Sequence, residues 1–154
     1  MEDRYIYKAK RVDNGEWVIG NLITNVFFRL GQSIPYILCQ DKAEYDFFED
    51  FTEGNGIFEV QPDTICRCTG SKDKKGKLIW EKDIVDGHIK RGAAFLNCLV
   101  LWNESKARFD VRAKGCNFPM TLDEVAGNIS VGGLDYEVVG NQFDNPELLE
   151  LLEV

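Results

Sequence analysis

PDTICRCTGSKDKKGKLIWEKDIV, residues 62–85, is the stretch whose reading decides the fold. Two polar, turn-rich clusters (Thr69-Gly70-Ser71 and Asp73 to Lys77) frame it. The apolar run Leu78-Ile79-Trp80 follows, then the charged step Glu81-Lys82-Asp83 into Ile84-Val85. Gly76 is the residue of the second cluster suited to a left-handed turn position. Trp80 alternates with Leu78 along a strand and reads as core. No nucleophile–base set and no phosphate-cradling glycine loop accompany the stretch. It therefore reads as β-scaffold.

Working outward, the same grammar recurs. Residues 4–23 form a hairpin: a half-buried alternation over 5–10, the turn Asp13-Asn14-Gly15, and a return strand from Glu16 to Ile23. Short strands are expected over 35–40 and 57–60. The apolar run 95–102 is the most strand-like in the chain. It pairs with 107–112 across the break Asn103-Glu104-Ser105, and 136–141 is a late strand. Helix signals are few. Thr121-x-x-Glu124 is a capping box closed by Gly127. Asn145-Pro146-Glu147 opens a short C-terminal helix with apolar Leu148, Leu149, Leu151 and Leu152. Such a helix needs a sheet to dock on.

Composition bounds the object. The chain has 154 residues, 44% of them hydrophobic, and a net charge of −8. That length buries a core without a metal or disulfide staple. The acidic balance is opposite to that of a dominant phosphate-binding surface. No apolar run reaches the ~18 residues of a membrane span, and Met1-Glu2-Asp3-Arg4 does not open a signal peptide. Cysteines stand at 39, 66, 68, 98 and 116. Their odd number, without secretory features, reads as reduced thiols and a cytoplasmic location. Cys66-x-Cys68 is too tight for a structural zinc pair. On a strand it points two thiols to one face, so buried free thiols are expected and no metal or other cofactor.

Charge is segregated. Residues 41–53, DKAEYDFFEDFTE, carry six acidic residues, one lysine and four aromatics. The aromatics either cover the core or present Phe47, Phe48 and Phe51 to a protein partner, or else the segment is disordered. Residues 135–154 contain no Lys or Arg. Lys72, Lys74, Lys75 and Lys77 lie in a basic region spanning 67–91, which either solvates a turn or meets phosphate. The lone histidine, His88, reads as a loop residue. P-loop, dinucleotide-binding, zincin and nucleophile-elbow motifs are missing, so no catalytic residue is assigned and an enzyme is the least favoured reading.

Three blocks then carry a resemblance. KAKRVDNGEWVIG at 8–20 looks like the N-terminal hairpin of the YopX family of phage and prophage proteins. Residues 62–85 resemble that family's central segment through Thr69-Gly70, Asp73-Lys74, Gly76-Lys77, Ile79, Glu81 and Asp83-Ile84-Val85. VGNQFDNPELL at 139–149 is similar to its ending. Departures fall at Cys66, Arg67, Cys68, Ser71 and Lys82. Lys82 replaces a family glycine. If that glycine serves a positive φ, the backbone leading to Ile84 should differ here.

The resemblance implies an SH3-like barrel with extra strands, and no catalytic residues to carry over. The expectation is therefore one YopX-like, all-β domain over 1–154. Residues 1–61 give an N-terminal hairpin with a subsidiary sheet and an insertion. Residues 62–154 give the barrel portion, centred on 77–141, and the short helix. Trp17, Val18, Leu22, Trp80, Ile84, Val85, Val100, Trp102, Phe109, Val139 and Leu148 should be mostly buried. The function expected is a phage accessory protein that binds a protein, with nucleic acid as the disfavoured alternative. A homo-oligomer is compatible with the sequence.

Overall fold

The computed structural model describes residues 5–39, 56–88, 94–113, 120–121 and 135–150. The 41–53 segment, the 121–127 capping box beyond Thr121, and Cys116 lie outside them. Two compact units are present, residues 1–68 and 69–154.

In the first unit, β1 (Tyr7–Lys10) pairs antiparallel with β2 (Trp17–Arg29), Ala9 facing Val18 and Lys10 facing Trp17. The turn is the expected one. Gly15 has φ +73, and the Asn14 side-chain oxygen accepts the Glu16 N–H at 2.9 Å. β2 then runs six residues beyond the Ile23 at which the sequence pattern ends. The pattern stops there because β2 is irregular. Its pairing with β3 (Gln32–Cys39) shifts register between Ile23 and Phe27, and Asn25 takes φ +60. β4 (Ile57–Glu59) completes this edge. On the other edge, the first residues of β5 (Cys66–Lys72) lie beside β1.

Ala9, Ile37 and Val60 are buried together, flanked by Tyr7, Val18, Leu22 and Ile65. Each fully buried aliphatic side chain is worth roughly 1.5–3 kcal/mol. Gly20 is required by close approach: a Cβ there would lie 1.9 Å from the Leu38 carbonyl oxygen.

The second unit starts within β5, which continues into a hairpin with β6 (Leu78–Trp80). Gly76 has φ +82, as its turn role requires. A five-stranded antiparallel sheet follows. It is built from β7 (Asp83–His88), β8 (Ala94–Asn103), β9 (Arg108–Arg112), β10 (Met120–Thr121) and β11 (Asp135–Asn141) in the order β10-β9-β8-β7-β11. Its core is Ile79, Val85, Cys98, Val100, Val111 and Tyr136. The short helix α1 (Pro146–Glu150) follows. The fold is all-β, as expected. Among the described residues the five-stranded sheet is open, with no pairing between β10 and β11.

Of the residues expected inside, Trp80, Ile84, Val85 and Val100 are buried. Trp17, Val18, Leu22, Trp102, Phe109 and Leu148 are half-buried. Val139 is a correction. It is 38% exposed, because β11 turns Tyr136 and Val138 to the core and the strand's two-residue repeat puts Val139 on the other face. Asn145 does not cap as expected with its side chain on the helix. Its Oδ1 instead accepts the Asn141 N–H at 3.2 Å.

Candidate functional site

Among the described residues of the first unit, the distal half of the β2–β3 hairpin exposes several large apolar side chains. Cross-strand pairs Phe27–Ile34, Phe28–Ser33 and Arg29–Gln32 lead to a two-residue turn, Leu30-Gly31. Both turn residues have positive φ, +52 and +78, which matches the twist of the flanking strands. Glycine suits that conformation; leucine does not. Leu30 is nevertheless 99% exposed, with Phe28 60% and Val26 56% exposed on the same arm. Val26 and Phe28 are two residues apart and share a face. On the opposite face Phe27 packs on Tyr36 at 4.9 Å, and Arg29 forms a forked ion pair with Glu59 at 3.2 Å. A cleft of about 350 Å³ opens beside the arm, lined among others by Val12, Leu30, Ile34, Pro35, Val60 and Pro62.

The structure treats the sequence-stated candidates unequally. Phe47, Phe48 and Phe51 lie outside the described residues. Lys72, Lys74, Lys75 and Lys77 surround the β5–β6 turn, and Asp73 organises that turn. Its Oδ1 accepts the N–H groups of Lys75 and Lys77, both at 2.9 Å, and its Oδ2 accepts that of Val138 on β11 at 3.1 Å. Burial opposes ionisation of Asp73. The backbone donors of Val138, Lys77 and Lys75, with the Lys77 charge, overcome it and hold the carboxyl below its ordinary range.

Glu137, also on β11, takes the two middle lysines, Lys75 at 2.5 Å and Lys74 at 3.3 Å. Its hydrogen bond to Lys75 leads in lowering the Glu137 carboxyl, and the same bond raises the Lys75 ammonium. Two of the four lysines are thus spent on a neighbouring strand. Lys72 and Lys77 remain exposed.

Cys66 and Cys68 are both buried free thiols on one face of β5, as their spacing implied. The Cys66 thiol donates to the Thr64 carbonyl at 3.3 Å.

Lys82 departs from its expectation. It takes φ +68 itself, so the approach to β7 is not rebuilt to avoid that region. Its N–H donates to the Val100 carbonyl at 2.7 Å, and its carbonyl accepts from Gln142 at 2.9 Å. Its ammonium stands 5.3 Å from the Phe143 ring centroid. Those contacts impose a conformation that lysine disfavours.

Sequence reasoning missed the arm. Its signal was there: Val26, Phe27 and Phe28 form an apolar run, and Leu30-Gly31 is a turn dipeptide. The leucine, atypical in such a turn, hid it.

The chain is similar to the crystal structure of protein EF1440 from Enterococcus faecalis, with 20% sequence identity. The match covers 93% of this chain and 96% of that one, at a TM-score of 0.45. No curated protein matches. The family model described as YopX protein matches residues 7–150. With nearly the whole chain covered by that match, the protein belongs to the YopX family.

Proposed function

We propose that this chain is a phage or prophage accessory protein that works in the cytoplasm as a non-enzymatic, protein-binding module, with the tip of the β2–β3 arm as its contact surface. The carrying observation is Leu30. A large apolar side chain sits fully in water at a turn position where a smaller polar residue would be more stable. Together with Phe28 and Val26 it forms an apolar group on an exposed strand pair, the kind of feature that marks an interaction site. The SH3-like barrel implied by the family resemblance belongs to this reading for the second unit, whose strand order suits it. Nucleic acid is the weaker partner class, since Glu137 already holds Lys74 and Lys75. Among the described residues no helix is long and apolar enough to cross a membrane.

The test is site-specific photo-crosslinking in lysogenic or infected bacteria, with the photoreactive residue at position 30 and, as control, at Asn14 in the other exposed turn. A defined protein adduct at position 30, lost on Phe28→Asp, is expected. Equal adduct patterns from positions 30 and 14 would remove the arm as the contact surface.

A further inference from the structure

Among the described residues the edge of β3 next to the arm is unpaired beyond Pro35, and its chemistry specifies an occupant. β4 pairs with β3 only at Tyr36, Ile37 and Leu38. Beyond that the Val60 N–H donates to the Pro35 carbonyl at 3.1 Å, and then the chain turns away, Gln61 donating to the Lys10 carbonyl at 2.9 Å. In an antiparallel ladder outward-pointing residues alternate. Since the Pro35 carbonyl points outward, so do the N–H and C=O of Ser33. Among the described residues no strand pairs with Gln32–Ile34 on the side away from β2. The cleft walled by Val12, Leu30, Ile34, Pro35, Val60 and Pro62 runs along this vacancy.

Resting on the protein-binding reading above, we propose that an extended peptide segment of a partner protein adds to β3 as an antiparallel strand at Ser33, continuing the line that β4 abandons at Val60. β4 itself shows what covers this edge: a strand of opposite direction, held by backbone bonds. The donor–acceptor pair of Ser33 binds one peptide residue. The side chain of a neighbouring peptide residue enters the cleft. That side chain is apolar and uncharged, because the two charged groups of the cleft, Arg29 and Glu59, neutralise one another at 3.2 Å. The peptide residue facing Ser33 is not proline, since its N–H meets the Ser33 carbonyl. Backbone pairing supplies the affinity and the cleft the selectivity, as in other strand additions.

Ser33→Pro is the decisive variant. It removes an outward N–H that no described strand uses, at an edge position where proline is tolerated. Ser33→Ala controls for the hydroxyl, which accepts the Asn25 N–H at 2.9 Å. The probe is a displayed library of random peptides selected on the full chain, with binding of recovered peptides measured by fluorescence anisotropy. Recovered peptides should alternate apolar side chains. They should lose about tenfold or more in affinity on Ser33→Pro and stay within about twofold on Ser33→Ala. Should Ser33→Pro fail to fold, amide exchange on the wild type decides: the Ser33 N–H exchanges freely alone and becomes protected with peptide.

Equal binding to Ser33→Pro, or an unprotected Ser33 amide in the complex, overturns the proposal. So does a wild-type dimer that Ser33→Pro dissociates, which would make a second copy the occupant. A position-30 crosslink retained by Ser33→Pro would leave the arm reading standing while strand addition fails.

Discussion

At the residue scale, two side chains, one strained and one buried, carry separable free-energy consequences. Lys82 adopts φ +68, a region costing a non-glycine residue roughly 1–2 kcal/mol. Glycine relieves that cost but loses about 0.5–1 kcal/mol in chain entropy. Lys82→Gly should therefore raise unfolding stability by about 0.5–1 kcal/mol, and Lys82→Val should lower it by about 1–2 kcal/mol in urea titrations. A Val variant as stable as wild type would mean the positive φ is not imposed.

Tyr136 is 3% exposed and its hydroxyl has no hydrogen-bond partner among the described residues. Burial, assisted by the neighbouring Cys98, raises its ionisation well above the ordinary tyrosine value. A folded-state pKa raised above the unfolded one stabilises fully below the unfolded pKa. That stability is lost as pH climbs above about 10. Tyr136→Phe should remove this alkaline sensitivity and gain about 1 kcal/mol at neutral pH by deleting an unsatisfied group. A large loss of stability on the same change would reveal a partner for the hydroxyl.

At the element scale, two turns behave oppositely. The β5–β6 turn is tied to β11 through the Asp73 carboxylate and its three N–H donors. Because the Asp73 pKa is depressed, its contribution is full above the unfolded value near 4. It disappears as pH falls through the lower folded value. Asp73→Ala should cost about 2–4 kcal/mol at neutral pH, and acid unfolding of the variant should begin from a flatter baseline. A loss below about 0.5 kcal/mol would show that the turn holds without its carboxylate.

The β2–β3 turn, by contrast, is suboptimal by composition. Asparagine accepts positive φ where Leu30 does not, so Leu30→Asn should stabilise the hairpin by about 0.5–1 kcal/mol. The same change should weaken partner capture at the arm. Greater stability with undiminished capture would separate Leu30 from function.

At the scale of the whole molecule, charge decides between partner classes. The net charge of −8 repels DNA, and Glu137 offsets one of the two charges of Lys74 and Lys75. Each phosphate neutralised would steepen the loss of affinity with salt. Titration with duplex DNA at two salt concentrations should give weak binding at the lower and none at the physiological one, where screening acts within ~8 Å. Submicromolar binding at physiological salt, abolished by Lys72, Lys74, Lys75 and Lys77→Glu, would restore nucleic acid as the leading partner.

Local chemistry determined most of the scaffold before any coordinates. Asn14-Gly15 made a hairpin because both residues suit its turn, and Gly76 did the same for β5–β6. The Cys66–Cys68 spacing placed two thiols on one face because strands repeat every two residues. The three blocks resembling the YopX family were legible as motifs, and the family match follows them.

What escaped was set by tertiary pairing. Val139 is exposed because β11 turns Tyr136 and Val138 to the core, and the adjacent pair Val138-Val139 does not announce which of the two faces inward. β2 was read short because its bulge at Asn25 is stabilised from across the hairpin by Ser33. The pairing of Lys74 and Lys75 with Glu137 depends on β11 arriving beside them, about sixty residues later in the chain. Among the described residues the edge at Ser33 is unpaired because the chain leaves β3 after Val60 bonds Pro35. An edge is a property of what fails to pair, and that is decided by the sheet as a whole.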